Sequence, residues 1–364
     1  MSEAFRVFPE QAPAFFTLKP ARHGLRARDT DAWMTRIHSL DEVLRPVLAR
    51  IEPLEPVMVP LKAAIGWCLA ETLASPISLP ARSTASRAGL AVHALDLAGA
   101  SPHAPVILMA PPHRVSAGDT MPPGCDAVID PNTIAQLGPF WHATESVEPG
   151  HDTRLAGHDL PLGALIGEAG RCITAETVLA ALRIGEEALP VRRPHVRIEA
   201  DDCPETFWLR ARLSALGFAI STDGDLPDVM IRWNNNAPAR LALRPADTAW
   251  IEHRSGCIIV EVPSRIDCII AAWCALLLPV FAALTGGTIQ MIEFPLARKL
   301  TSPVGIAEIV LHRLQDGMAD PLASGDFPLS AIARLQAFSL TPAQLEGFAA
   351  GTQVAVTPLD KPFL

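Results

Sequence analysis

Apolar residues first recur at helical spacing at Leu40, Val43, Leu44, Val47, Leu48 and Ile51. Ser39-Leu-Asp-Glu42 stands in front of them with capping-box spacing, so a helix is predicted to open there. Val57-Met-Val-Pro-Leu61 reads as a strand and Ala63 to Ala70 as a second short helix. Ser75-Pro-Ile-Ser-Leu-Pro80 reads as an extended, proline-bounded strand. From 81 to 150, short apolar runs alternate with turns: Pro105-Val-Ile-Leu-Met109, Ala127-Val-Ile129 and Pro139-Phe-Trp141. That spacing predicts a small β-rich domain. Residues 151–190 are mixed, with a helix from Thr174 to Leu182.

After His195 the period changes to strand, helix, strand. His195-Val-Arg-Ile198, Asp228 to Trp233 and Gly256 to Val262 are predicted strands. Glu205 to Leu216 is a helix stopped by Gly217. Strands alternating with helices predict a parallel sheet, and ligands of such sheets lie at the carboxyl ends of strands. The loops there are 199–204, 234–240 and 263–265. Beyond residue 290, alternating segments at Ala307 to Leu314 and Thr352 to Val356 predict a further β domain. The fold class is therefore α/β plus β, with several domains.

Cys268 to Leu284 is seventeen residues without a charge. A membrane span needs roughly twenty, and Pro279 interrupts this one. Basic flanks and an aromatic belt are also missing, so no span is expected and a buried core helix is.

Composition narrows the class. The chain has 364 residues, 49% of them apolar and 19% charged, enough to build a core. The net charge of −9 provides no basic footprint for nucleic acid. The seven cysteines form no Cys-x-x-Cys, which implies neither a zinc ribbon nor a disulfide framework. A reducing cytoplasm is the expected setting. No apolar signal core follows the N-terminus, so export is not expected. Residues 1–38 read as an irregular lead with Arg22, Arg26 and Arg28, either a loosely tied tail or an arm for a partner.

Three clusters carry candidate chemistry. Ser264 and Arg265 sit where a strand meets the long helix. A helix N-terminus there would attract an anion, with Arg265 as a forked donor. Equally, Ser264 and Asp267 have capping-box spacing, and Asp267 would compete with an anion. Asp201 and Asp202, with Glu205, could hold magnesium or simply cap a helix. Asn234-Asn-Asn236 fits a turn or a ligand contact. Six histidines between 93 and 158 show no metal-ligand spacing, Gly163, Gly167 and Gly170 form no phosphate loop, and no Gly-x-Ser-x-Gly elbow occurs.

Several segments taken in order resemble the molybdopterin molybdenumtransferase family, which includes bacterial MoeA and the E domain of gephyrin. Ser39-Leu-Asp-Glu-Val-Leu, Pro60-Leu, Ile65-Gly66, Leu69-Ala70 and Ser75-Pro-Ile-Ser-Leu-Pro80 resemble its opening. Pro122-Pro-Gly-Cys-Asp-Ala-Val-Ile129 is similar to its Pro-x-Gly-x-(Asp/Glu)-Ala-Val-Val. Gly157-His-Asp159 with Leu162-Gly163 resembles its Gly-Glu-Asp-Ile…Gly element. Val191-Arg-Arg-Pro-His-Val-Arg-Ile198 is similar to its join into the cofactor-binding domain. Val262-Pro263, the apolar helix and Leu284-Thr-Gly286 resemble its Leu-Pro-Gly-Asn-Pro helix.

The resemblance implies an elongated homodimer that adds molybdate to adenylylated molybdopterin, using magnesium. It also implies a domain plan: a lead at 1–38, a discontinuous linker domain at 39–80 and 151–192, a small inserted β domain at 81–150, a molybdopterin-binding-like domain at 193–289 and a C-terminal β domain at 290–364. A paralogue or a molybdoenzyme client is an implied partner, and molybdopterin or molybdenum cofactor an implied ligand.

Departures from the family pattern bear on activity. Its Asp-Asn-Ser-Ala-Met-Asp-Gly-Tyr-Ala stretch is Ser83-Thr-Ala-Ser-Arg-Ala-Gly-Leu-Ala91 here, with Ala88 at an acid position. Asn132 is nearest to a glutamate expected after Ile129. Of Arg-Arg-Arg-Gly-Glu-Asp, Arg154, Gly157 and Asp159 remain, so Asp159 is the best retained acid. Asp201-Asp-Cys-Pro-Glu205 stands roughly where Ser-Thr-Gly-Asp-Glu-Leu belongs, and Trp233-Asn-Asn-Asn236 replaces Ser-Gly-Gly-Val-Ser. The Lys-Pro-Gly-Lys-Pro loop is missing, and Ser264-Arg-Ile266 replaces Gly-Asn-Pro. Glycines at strand ends let amides close on phosphate. One lost general acid or base typically costs roughly 10²–10⁴ in rate. The expectation is a kept fold with weak or lost transferase activity, a role in binding cofactor, precursor or partner, and Asp159, Ser264, Arg265, Asp201 and Asp202 as remaining contacts. The alternatives are an active transferase using substituted acids and a purely structural partner of an intact paralogue.

Overall fold

The computed structural model describes residues 36–221, 226–238 and 240–363. The predicted lead through residue 35, with Arg22, Arg26 and Arg28, lies outside the described residues. The chain divides into two compact units. The larger holds the chain up to Glu71, Gly167–Leu182 and everything from Glu186; the smaller holds Thr72–Ile166 with Arg183–Gly185.

A five-stranded sheet organises the larger unit. Its strands are β1 (His195–Glu199), β2 (Ala219–Ile220), β3 (Val229–Trp233), β4 (Trp250–Arg254) and β5 (Cys257–Val262), in the order β2-β1-β3-β5-β4. The first three and β5 run parallel, as the strand–helix alternation predicts. β4 runs antiparallel to β5. Ser255 and Gly256 join them with φ of 52° and 81°, the paired positive values of a two-residue hairpin turn. The sheet is thus mixed at one edge. β4 escapes the sequence pattern because Glu252, His253 and Arg254 dilute its apolar signal.

The uncharged run becomes one helical segment, Ile266–Thr285. By length and composition it is able to cross a membrane, yet 89% of its most apolar window is buried inside the protein. Pro279 does not end it. A π turn over Trp273–Leu277 lets Leu278 N–H donate to Trp273 O, and Pro279 then opens a fresh α-helical stretch, where its missing N–H has no partner to lose. Gly286, with φ of 69°, closes the segment in the left-handed region. Trp273 packs edge-on against Trp208 at 6.0 Å and against Phe281 at 5.9 Å, and Phe281 lies 4.5 Å from Phe218.

The predicted capping box at the opening helix, Leu40–Leu48, is present: Glu42 N–H donates to Ser39 Oγ at 3.2 Å and Ser39 N–H to Glu42 Oε2 at 3.0 Å. The second predicted helix is shorter than the apolar pattern suggests. It covers Leu61–Ala64 only, because Gly66 turns at φ 89° and Cys68 and Leu69 leave to bridge Cys172 and Val191. The predicted strand Ser75–Pro80 is also corrected. Ser75 Oγ donates to Ile77 O at 2.6 Å, which holds a bend, and Leu79 makes a single bridge to Leu160.

A second sheet of six strands ends the chain. It runs Leu243–Arg244, Ala307–Gln315, Ala337–Thr341, Gln353–Pro358 and Ile292–Pro295, with Met318–Ser324 paired to the second of these. Alternation splits the long strand between two cores: Ile309 and Leu311 join the cluster around the apolar helix, while Val310 joins Leu296, Leu300, Val354 and Val356. The smaller unit carries two three-stranded sheets, His113–Val115, Gly89–Val92, Ala127–Ile129 and Val106–Leu108, Phe140–Ala143, Ile134–Leu137. Gly89 is obligatory there, since a Cβ would lie 2.5 Å from Ile129 O.

His312 follows Val310 on the same face and is fully buried. Its Nε2 lies 2.7 Å from Ser339 Oγ, and its Nδ1 has no hydrogen-bond partner. Burial pulls its pKa down to about 4. The unfolded chain therefore takes up a proton near pH 6.5 that the native state refuses. Stability carried by neutral His312 is complete above pH 6.5 and is lost as pH falls towards 4, by about 3 kcal/mol at most. Urea midpoints measured from pH 7 to pH 4 should fall more steeply for the parent chain than for His312→Asn.

Candidate functional site

The chain leaves β1, pairs β2 on one side of it and returns to β3 on the other. The carboxyl ends of β1 and β3 thus flank the reversal of strand order, where ligands of such sheets bind. Three loops meet the requirement: 200–203 after β1, 234–236 after β3 and 263–265 after β5.

The second and third of these loops are tied to each other by their own side chains. Ser264 N–H donates to Asn235 Oδ1 at 2.7 Å, and Ser264 Oγ donates to the same oxygen at 3.0 Å. Asn236 N–H donates to Asn234 Oδ1 at 3.3 Å, which is turn chemistry, while Asn234 Nδ2 donates to Glu261 Oε2 at 3.1 Å. Ser264 is therefore not a helix cap, and the capping box with Asp267 does not form. Arg265 occupies the cap position and makes no side-chain cap bond. Its Nη2 donates instead to Asp267 Oδ2 at 2.5 Å, and the other oxygen of Asp267 accepts Cys268 N–H at 2.9 Å. A buried resident carboxylate thus sits at the helix N-terminus, where the dipole favours negative charge. Burial first, and Asp267 second, push the Cys268 thiol up to about 12, and it donates to Pro245 O at 3.1 Å.

Asp201 and Asp202 are exposed on the loop after β1. Asp201 contributes its backbone carbonyl, which accepts Thr206 Oγ1–H at 2.6 Å. Cys203, not either aspartate, is the cap residue of the helix Pro204–Ala215, with Pro204 and Glu205 in its first turn. Asp159 lies in the smaller unit, where Arg154 Nη1 reaches both its oxygens at 3.1 and 3.2 Å. The retained acid and the retained arginine therefore answer each other. Among the described residues, no group of three or more His, Cys, Asp or Glu side chains gathers to hold a metal ion. A resident magnesium needs several oxygen ligands. Asp201, Asp202 and Glu205 do not gather into that set.

One network escapes the sequence reading. Arg240, almost fully buried, lies 3.3 Å from Glu261 through Nη2 and 4.8 Å above the Trp250 ring. The available signal was Glu261 itself, a lone carboxylate inside the apolar run of β5, which burial obliges to find a partner.

The architecture is a mixed α/β protein of several parts. Residues 38–185 match the model of the MoeA N-terminal region, domains I and II. That region is less than half of the chain, and over it the chain is similar to the MoeA family. Molybdopterin molybdenumtransferase 2 from two strains of Mycobacterium tuberculosis, CDC 1551 / Oshkosh and ATCC 25618 / H37Rv, is 26% identical over 172 residues, 43% of this chain and 42% of the relative. The match thus spans less than half the length of these curated relatives. The crystal structure of the molybdopterin biosynthesis MoeA protein from Pyrococcus horikoshii OT3 superposes with a TM-score of 0.70 at 19% identity, over 89% of this chain and 100% of that one. A molybdenum cofactor biosynthesis protein from Pyrococcus furiosus gives 0.58 at 16% identity, over 89% and 100%. At such identities the structures establish a shared fold.

Removing the amide oxygen of Asn235 leaves the Ser264 N–H and hydroxyl without their acceptor. Both residues are exposed, so water can replace the lost acceptor, and Asn235→Ala should cost about 0.5–1 kcal/mol by urea denaturation, against under about 0.5 for Asn236→Ala.

Proposed function

We propose that this chain works in molybdenum-cofactor biosynthesis as a MoeA-like protein whose own transferase activity is weak or lost, and which binds molybdopterin, its adenylylated precursor or a partner enzyme. One observation carries the reading: the strand-end loops after β3 and β5 are filled by resident side chains. Asn235 holds the Ser264 amide. Asp267 holds Arg265 and a first-turn amide of the apolar helix. A phosphate closing on this helix would have to displace a buried carboxylate of like charge. Asn and Ser side chains stand where the resembling loops carry glycine, so amides cannot approach a phosphorylated pterin as closely.

What remains is a contact surface at the reversal of strand order, with Asp201 and Asp202 exposed on one lip and Ser264 and Arg265 on another. Arg265 can swing from Asp267 to an anionic group, since its side chain is 67% exposed. Exposure of Asp201 and Asp202 favours the second reading, an active transferase with substituted acids. A homodimer in a reducing cytoplasm is the proposed working state, with a paralogue or molybdoenzyme as client.

Purified protein should be titrated with molybdopterin and with its adenylylated form, and then assayed for active cofactor after molybdate and magnesium are added. Micromolar binding with turnover at least about 100-fold below that of a MoeA with the full loop set is expected. Turnover within about tenfold of that enzyme would establish the second reading. Absence of binding to either pterin at high micromolar concentration would remove the ligand role and leave that of structural partner.

A further inference from the structure

Trp67-Cys68-Leu69 runs antiparallel to Arg171-Cys172-Ile173, with Cys68 opposite Cys172. Leu69 N–H donates to Arg171 O at 2.9 Å, and Ile173 N–H donates to Trp67 O at 2.8 Å. These bonds flank the cysteine pair rather than join it, so the two residues form a non-hydrogen-bonded pair. In such pairs the Cα atoms approach to about 4.5 Å and the side chains leave the same face. A disulfide accepts Cα separations of roughly 4.4–6.8 Å, so this pair lies at the short edge of the range. Among the described residues, no other two cysteines face each other across strands. Both are free thiols here, Cys68 buried and Cys172 partly exposed.

We propose that Cys68 and Cys172 form a redox modification site, closing into a reversible disulfide when a small-molecule disulfide such as oxidised glutathione is present. This inference is independent of the reading given above. The partly exposed Cys172 thiolate attacks one sulfur of oxidised glutathione, and one glutathione thiolate leaves. The Cys68 thiolate then attacks the Cys172 sulfur of the mixed disulfide and expels the second glutathione. Two protein thiols give up two protons and two electrons, and one glutathione disulfide becomes two glutathiones. Burial pushes the Cys68 thiol up to about 11, which makes the closing step slow at neutral pH and base-driven. A pair at the short edge of the geometric range is readily reopened by thiols.

The position gives the bond a consequence. The chain leaves the larger unit just after Glu71 and returns at Gly167. Cys68 and Cys172 stand just outside these two crossings. Their disulfide would enclose residues 72–166 in a covalent loop.

The full chain should be incubated under native conditions with oxidised glutathione at pH 7, 8 and 9, then alkylated, digested and mapped by mass spectrometry without reduction. A Cys68–Cys172 cross-linked peptide is expected, forming about tenfold faster per pH unit and vanishing with dithiothreitol. Cys68→Ser should stop at a glutathione adduct on Cys172. Cys172→Ser should leave Cys68 unmodified while the protein is folded. Absence of the cross-link in the parent chain after exhaustive oxidation, a bond pairing either cysteine with a different one, or a Cys172 adduct that persists at pH 9 would overturn the proposal.

Discussion

Twenty residues, Ile266–Thr285, cannot be solvated, and the larger unit is built to hide them. β1, β3 and β5 supply Val196, Val229, Ile231, Ile258 and Val260 to the cluster around this helix. The opening helix supplies Leu40, Val43, Leu44 and Val47, and the C-terminal sheet supplies Ile309, Leu311 and Phe338. Burial of so much apolar surface is the dominant favourable contribution to folding. It fixes where the helix must begin, and with it the loop at 263–265 that meets the strand ends. The π turn before Pro279 is the local adjustment that keeps the column continuous.

The same burial explains the electrostatics at the column's head. A charge at its entrance has to be paired before it can be desolvated. Asp267 accordingly takes Arg265 and the Cys268 amide. Glu261, one strand turn earlier, takes Arg240 and Asn234. Each of these two carboxylates is answered from within the chain.

The smaller unit follows a different constraint. The strands of its two three-stranded sheets are only three or four residues long, so turns and close backbone approaches define it more than apolar area does. Gly89 marks one such approach. The Arg154–Asp159 pair sits on its exposed surface, screened by solvent, and contributes little to stability there.

Legibility in the sequence tracked the range of the interactions involved. The capping box at Ser39, the strands β1, β3 and β5, and the apolar helix all follow from contacts within a few residues, so local pattern determined them. The end of the short helix at Ala64, the bridge at Leu79 and the edge strand β4 depended on distant partners: Cys172 and Val191, Leu160, and β5. The candidate site was legible only as loop positions. Whether Ser264 capped a helix or bonded Asn235, twenty-nine residues away, was decided when the sheet brought the two loops together. Sequence alone thus determined the opening helix, β1, β3, β5 and the buried apolar helix. Tertiary structure decided which polar groups meet, because hydrogen bonds act over about 3 Å and no local pattern encodes which distant loop will arrive at that distance.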